Sequence, residues 1–207
     1  KGADVNAAPF NNVTPLIGAV RTGHYEAAAM LLKAGAKVDA KDELDLTSLM
    51  HASAYDYPEI AELLIEKGAD MEAGDWFGTR PLMMAVYYDC FETAEILIQK
   101  GADLNAQDTF GFTALMVAAQ HADYDMAWFL LDKGADPRLQ NKGGLHAVAL
   151  ATNSGSEDII ELLLESGAGI NQNITYSTNA LSLAIEAKSD RMETFLLENK
   201  ARKNRRP

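Results

Sequence analysis

A Gly-Ala pair recurs at a constant interval along this chain. The pair stands at residues 2–3, 35–36, 68–69, 101–102, 134–135 and 167–168. At the seventh such place, Lys200-Ala201 keeps the alanine and loses the glycine. A regular period of about 33 residues indicates small structural units that each pack on their neighbours. The repeat therefore predicts an array that grows in one dimension.

Each unit carries the same signals for a first, short helix. A Thr-Pro-Leu triplet or a variant of it begins that helix at Thr14-Pro15-Leu16, Thr47-Ser48-Leu49, Arg80-Pro81-Leu82 and Thr113-Ala114-Leu115. Threonine is a good N-cap, and proline suits the first helical position because its missing N–H would be unsatisfied there anyway. A small residue that lets two helices approach closely follows at Ala19, Ala52, Ala85, Ala118, Ala151 and Ala184.

A turn and a second helix complete the unit. The turn is marked by Gly23 and Gly155, and the corresponding positions elsewhere hold Asp56, Asp89, Ala122 and Lys188. The second helix carries an apolar pair, from Leu31-Leu32 in the first unit to Leu196-Leu197 in the last. It is predicted to end at the glycine of the Gly-Ala pair, in a left-handed conformation. Asp- and Asn-rich residues then lead through a hairpin-like loop to the next unit.

The Thr-Pro-Leu triplet, the fixed alanine, the leucine pair and the Gly-Ala-Asp-x-Asn segment together resemble the ankyrin repeat. The resemblance covers essentially the whole chain and implies an all-α solenoid of helix-turn-helix pairs joined by β-hairpin-like loops. It implies a single ankyrin-repeat domain, 1–207, in which residues 1–8 end a preceding repeat. The full repeats are then 9–41, 42–74, 75–107, 108–140, 141–173 and 174–206.

The chain departs from the family pattern in two ways. The histidine that usually follows the triplet is replaced by Ile17, Met50, Met83, Met116, Ala149 and Ser182, and the apolar replacements are predicted to fill its space by packing. His146-Ala147 and Asn179-Ala180 stand where Thr-Pro would, which makes the last two repeats the most degenerate. The last repeat, with its basic tail, is predicted to be a C-terminal cap. No comparable cap precedes the first repeat, so the natural chain is expected to begin before Lys1.

Charge and composition limit the classes of partner. The net charge is −12, but residues 1–199 alone hold 13 basic and 30 acidic residues, a net of −17. Such a surface repels phosphate backbones, which argues against nucleic-acid binding and favours a basic partner protein. No apolar run approaches the roughly 18 residues that span a bilayer. The single cysteine, Cys90, forms no intrachain disulfide, so the cytoplasm is the expected compartment, with the bacterial periplasm as the alternative if a signal peptide was removed upstream. The chain by itself is expected to be a monomer.

The resemblance implies that a partner meets the loop tips and the exposed side of the first helices, which together form a concave surface. Large apolar and aromatic residues occupy those solvent-facing places. The predicted partner-binding residues are Leu44, Tyr55, Trp76, Phe77, Tyr87, Tyr88, Phe110, Phe112 and His121. Phe10, Leu46 and Tyr176 stand at similar loop tips, and the footprint is expected to centre on Trp76, Tyr88 and Phe112. The alternative is that some of these rings pack locally on adjacent loops.

Acidic residues adjoin the same loop tips. Asp42, Glu43, Asp45 and Asp75 either steer a basic partner or form an ordinary solvated face. Asp42, Asp75 and Asp108 stand at the same place in three successive repeats, which favours a loop-capping role for these three.

The sequence predicts no catalytic, metal or cofactor site. His51, His121 and His146 share no position in the repeat, and no Cys/His set has zinc-ligand spacing. Cys90 follows Asp89, and acidic neighbours should raise the pKa of its thiol and make it unreactive. There is no glycine-rich phosphate loop with a lysine.

Three functions follow as hypotheses. The first is a non-catalytic module that binds another protein through its concave aromatic face and loop tips. The second is an inhibitor or immunity protein that occludes a partner enzyme. The third is the accessory region of a larger enzyme or channel that extends upstream.

Overall fold

The computed structural model describes residues 4–8, 10–174 and 178–201. Predictions that concern residues 1–3, Tyr176 and the basic tail at 202–206 lie outside these described residues. In the part that is described, the regular structure is helical, with an isolated antiparallel bridge between Lys41 and Thr47 in a connecting loop. The all-α prediction is confirmed.

The helices alternate between two series. The first helices are α1 (Pro15–Arg21), α3 (Ser48–Ala54), α5 (Pro81–Tyr87), α7 (Ala114–His121), α9 (Ala147–Ser154) and α11 (Ala180–Glu186). The second helices are α2 (Tyr25–Lys33), α4 (Pro58–Glu66), α6 (Phe91–Gln99), α8 (Tyr124–Asp132), α10 (Glu157–Glu165) and α12 (Asp190–Glu198). Successive starts in either series are separated by the same interval as the Gly-Ala pairs, so every helix begins where the repeat places it.

The chain divides into two compact units, the N-terminal unit Lys1–Asp103 and the C-terminal unit Leu104–Pro207. In the N-terminal unit, α3 packs against α1 and α5, while α4 packs against α2 and α6. In the C-terminal unit, α9 packs against α7 and α11, and α10 packs against α8. Each unit is thus two layers of helices that bury their apolar faces against each other. The described residues include no helix with the length and apolar character needed to cross a membrane.

Five of the six first helices begin at side-chain caps, and the exception is α5, which begins after Arg80. Thr14, Thr47 and Thr113 each accept a hydrogen bond, at 3.3 Å, from the backbone N–H three residues later. In the two repeats that look degenerate, His146 Nδ1 accepts from Ala149 N at 3.3 Å and Asn179 Oδ1 accepts from Ser182 N at 3.0 Å. The capping residue is not threonine there, but the cap is kept because each side chain has an acceptor atom within reach of the backbone N–H three residues later.

The turns between the paired helices have a left-handed residue at the predicted place. Gly23 and Gly155 have φ of +69° and +78°, while Asp56, Asp89, Ala122 and Lys188 have φ between +53° and +59°. Lys200, which replaces the glycine of the Gly-Ala pair, has φ of +68°. Backbone geometry is therefore constant where the sequence is not.

Apolar side chains fill the space that the missing histidines leave. Ile17, Met50, Met83, Met116 and Ala149 are all buried, whereas Ser182 is half-buried. The constant alanine of the first helix is buried in every repeat except the first, where Ala19 is half-buried. The predicted replacement of a polar tie by packing is confirmed for the five apolar positions.

Candidate functional site

Aspartate side chains fix the loops that precede α3 and α5. Asp75 Oδ1 accepts hydrogen bonds from Phe77 N at 2.9 Å and from Thr79 N at 2.8 Å, and Asp75 N donates to Thr79 O. Asp42 Oδ1 accepts in the same way from Leu44 N at 2.9 Å and Leu46 N at 3.0 Å. A short polar side chain that bonds its own loop backbone holds the turn in one shape. The loop tips are therefore ordered before anything binds.

The loops of the C-terminal unit use the same device. Asp108 Oδ1 accepts from Phe110 N and Phe112 N, both at 2.8 Å. Asn141 stands at the corresponding position, and its Oδ1 accepts from Gly143 N and Leu145 N at 2.9 Å. The loop-capping role predicted for Asp42, Asp75 and Asp108 is confirmed, and an amide oxygen performs it equally well.

Tyrosines stand where α3 and α5 end. Tyr55 and Tyr88 are the C-cap residues of these helices, and Tyr87 is the last residue of α5. The rings of Tyr87 and Tyr88 meet edge to face, with centroids 5.1 Å apart and planes at 78°. The ring of Tyr55 lies parallel to His51, with centroids 6.4 Å apart.

These loop tips and helix ends enclose one groove in the N-terminal unit. Its volume is about 640 Å³, within the range of sites that bind small molecules. We call it the aromatic groove and define it by the predicted residues that line it: Leu44, Tyr55, Trp76, Phe77, Tyr87 and Tyr88. Their exposed fractions run from 50% for Tyr55 to 62% for Trp76, so these side chains present half or more of their surface to solvent.

The three remaining predicted residues lie in the C-terminal unit. Phe110 is 55% exposed at its loop tip, and His121 is exposed at the end of α7. Phe112 is half-buried, so it offers less surface than the predicted centre of a binding footprint would. Phe10, in the N-terminal unit, is 80% exposed.

The prediction from sequence omitted several residues of the groove, among them His51 and Met84. The histidines by themselves give no signal, because His51 shares no position in the repeat with the others. His51 and Met84 occupy corresponding positions in successive repeats, on α3 and α5. The repeat register relates the two positions, so a prediction that included one of them would have included the other.

His51 forms a buried polar pair beneath the groove. Its Nε2 lies 2.9 Å from Oδ2 of Asp42, and both side chains are less than a tenth exposed. Burial lowers the pKa of His51 below its ordinary value, while the hydrogen bond to Asp42 acts in the opposite direction. A carboxylate only accepts, so Nε2 carries the proton in this pair. The pair links the loop that holds Leu44 to the helix that ends at Tyr55.

One aspartate lines the groove, and two more adjoin groove residues in the sequence. Asp75 lines it, Asp45 lies between Leu44 and Leu46, and Asp89 follows Tyr88. Of the cations on the same loops, Lys41 Nζ donates to Gly74 O at 2.8 Å, and Arg80 Nε lies 3.2 Å from Glu72. Both cations are held in contacts of their own, and neither lines the groove.

Cys90 is buried where α6 begins, and its Sγ lies 3.6 Å from Tyr88 O. Burial raises the pKa of the thiol, and the charges of Asp56 and Asp89 add to this effect. The predicted direction is confirmed, but burial rather than acidic neighbours is the main cause. Within residues 4–8, 10–174 and 178–201, no group of three His, Cys, Asp or Glu side chains is placed to hold a metal ion.

Comparison with known proteins gives one family. A family profile described as ankyrin repeats matches three times, over residues 1–75, 49–141 and 115–207, so that the matches together span the chain. A search of curated protein sequences gives no match. Ankyrin repeats are in general modules that bind other proteins, and they are typically non-catalytic. The helix pairs, the capped loops and the matches over the full length agree, and the chain belongs to the ankyrin-repeat family.

Proposed function

We propose that this chain is a non-catalytic binding module whose N-terminal unit docks a partner protein in the aromatic groove. The observation that carries the proposal is the convergence of six large apolar side chains, each at least half exposed, on one groove. A contiguous exposed apolar patch usually marks an interaction site, and tryptophan and tyrosine are typical anchors of binding energy.

The loops around the groove are ordered in advance. The bonds from Asp42 and Asp75 fix the backbone beneath Leu44 and Phe77, and helix ends carry Tyr55, Tyr87 and Tyr88. A rigid site loses little conformational entropy when its partner docks. A modest number of contacts is then sufficient for useful affinity.

The charge of the chain favours a basic partner. Asp75 lines the groove, and Asp45 and Asp89 adjoin groove residues in the sequence. The chain as a whole has a net charge of −12. Complementary charge raises association rates more than it raises affinity. We extend the proposal to Phe110, Phe112 and His121 as further partner contacts, made by the C-terminal unit.

Affinity capture with two matched double variants tests the proposal. The groove variant is Trp76→Ala/Tyr88→Ala. The control is Tyr124→Ala/Trp128→Ala on α8, which removes a tyrosine that is 40% exposed and a tryptophan that is 50% exposed. Parent and variants are first shown to melt alike. A partner retained by the parent and the control, and lost from the groove variant, is the expected result.

The proposal fails if the groove variant retains the same partner as the parent, or if the control loses it equally. The identity of the captured protein also distinguishes an inhibitor from a scaffold. An enzyme whose activity falls when the parent chain is added identifies an inhibitor, whereas unchanged activity identifies a scaffold.

A further inference from the structure

We infer that the aromatic groove accepts an arginine side chain of the partner, which lies against the tyrosine and tryptophan rings. This inference rests on the proposed function and names the chemistry of the segment that docks. Three features of the groove support it: the rings, the charges and the apolar walls.

Four tryptophan and tyrosine rings line the groove. Trp76 and Tyr88 are each more than half exposed, and the edge-to-face pair of Tyr87 and Tyr88 presents ring surfaces in two nearly perpendicular planes. The faces of tryptophan and tyrosine carry negative electrostatic potential, and a guanidinium placed over them is attracted. Tyr55 adds a further exposed ring.

Carboxylates reinforce this preference. Asp75 lines the groove itself, and Asp45 and Asp89 lie beside groove residues in the chain. The cations nearest in sequence, Lys41 and Arg80, are engaged with Gly74 and Glu72. A positive group from the partner therefore meets rings and carboxylates, with no cation of the chain among the residues described as lining the groove.

The walls distinguish arginine from a small cation. Leu44, Phe77 and Met84 supply apolar surface, along which the methylene stem of a long side chain lies. Guanidinium is planar and more weakly hydrated than ammonium, so it stacks on aromatic rings at a lower desolvation cost. The occupant is thus an arginine with apolar neighbours in an exposed segment of the partner.

Matched peptide pools test the inference directly. One pool has a fixed central arginine with Leu, Ile, Val or Phe at random in the flanking positions, and the other has citrulline in place of the arginine. Citrulline keeps the planar shape and removes the charge. Retention of each pool is measured on the immobilised parent, on the groove variant Trp76→Ala/Tyr88→Ala, and on a charge variant.

The charge variant is Asp45→Asn/Asp89→Asn. Both aspartates have positive φ, +62° and +59°, which asparagine tolerates well, so the backbone is preserved while two charges are removed. Its control is Glu161→Gln/Glu165→Gln on α10, in the C-terminal unit, which changes the net charge by the same amount.

We expect the parent to retain the arginine pool at least about fivefold better than the citrulline pool. The groove variant should lose this preference, the charge variant should weaken it, and the α10 control should keep it. Equal retention of both pools by the parent, with both lost from the groove variant, overturns the arginine inference but leaves the groove as the docking site. Absence of retention, or retention that the groove variant keeps, also overturns the inference. The capture experiment with the natural partner then judges the proposed function separately.

Discussion

The Nε2 atom of His51 lies 2.9 Å from Oδ2 of Asp42, and this contact joins helix α3 to the loop that precedes it. The other carboxylate oxygen of Asp42 holds the N–H groups of Leu44 and Leu46. One aspartate thus fixes both the loop tip and the helix that carries Tyr55. Leu44 and Tyr55, which form one wall of the aromatic groove, are therefore held in a fixed arrangement by the same aspartate.

Two buried histidines are expected to make the free energy of unfolding depend on pH. Burial lowers the pKa of His51 and of His146 below the ordinary value of 6.5. Between the lowered pKa and 6.5 the unfolded chain binds protons that the folded chain does not. The free energy of unfolding therefore falls as the pH is lowered through this window, by at most about 1.4 kcal/mol per pH unit for each histidine.

The variant His146→Asn isolates one of these histidines. Asn179 caps α11 at the corresponding position, so asparagine keeps the cap, although the bond from His146 Nε2 to Gln172 O is lost at a cost of about 1 kcal/mol. Urea unfolding between about pH 7.5 and about pH 5.5 should show a shallower loss for the variant than for the parent. Parallel curves for the two proteins would show that His146 binds protons equally in the folded and unfolded states.

Ser48 predicts a stabilising substitution. Its buried Oγ has no hydrogen-bond partner among the described residues, whereas Pro15 and Pro81 occupy the same place in neighbouring repeats. Thr47 has ψ of 167°, which suits a residue before proline. Ser48→Pro should raise the free energy of unfolding by about 1–2 kcal/mol, because it removes an unsatisfied hydroxyl and restricts the unfolded chain.

Ser48→Ala separates the two contributions, since it removes the hydroxyl alone and matches Ala114 in the next repeat but one. Urea unfolding should rank the proline variant above the alanine variant and both above the parent. A proline variant less stable than the parent would mean that its ring does not fit at the start of α3.

Substitution by glycine at two corresponding turn positions, Ala122 and Asp56, is expected to change the free energy of unfolding in opposite directions. Ala122 has φ of +59°, so Ala122→Gly should relieve left-handed strain and stabilise by about 0.5 kcal/mol. Asp56 has φ of +53°, but its Oδ1 also accepts from Thr93 N at 3.1 Å and from Thr93 Oγ1 at 2.8 Å. Asp56→Gly leaves the buried Thr93 hydroxyl unpaired and should destabilise by about 1–2 kcal/mol.

The same urea titration measures both glycine variants. Stabilisation by Asp56→Gly would refute the view that the tie to Thr93 outweighs backbone strain at this turn.

The hydrogen bonds of Asp75 are expected to control binding in the aromatic groove, because they order the loop that carries Phe77. Asp75→Ala removes the acceptor of Phe77 N and Thr79 N, so the loop loses its fixed shape and the affinity of the groove should fall about tenfold. Asp75→Asn keeps an acceptor oxygen, as Asn141 does in its own loop, and should bind more tightly than the alanine variant, although it also loses the one negative charge that lines the groove. Titration of the captured partner against both variants measures this. If the alanine variant binds as tightly as the parent, the loop does not need to be ordered in advance.

The sequence alone determined the helices, the turns and the loop clamps of this protein. Each depends on residues within one repeat, such as Asp75 and Thr79 or Thr113 and Met116, so the constant period of the sequence places them all. Exposure of Trp76 and Phe77 at a loop tip also followed, because a short clamped loop has no interior in which to bury them.

Only the tertiary structure decided which side chains meet across repeats. Asp56 bonds Thr93 of the next repeat, 37 residues later, and this pair does not follow from one repeat read alone. The tertiary structure likewise decided that Phe112 is half-buried and that His51 lies beneath the groove. Local pattern sets the backbone, but the packing of one repeat on the next decides which side chains are covered and which polar atoms find partners.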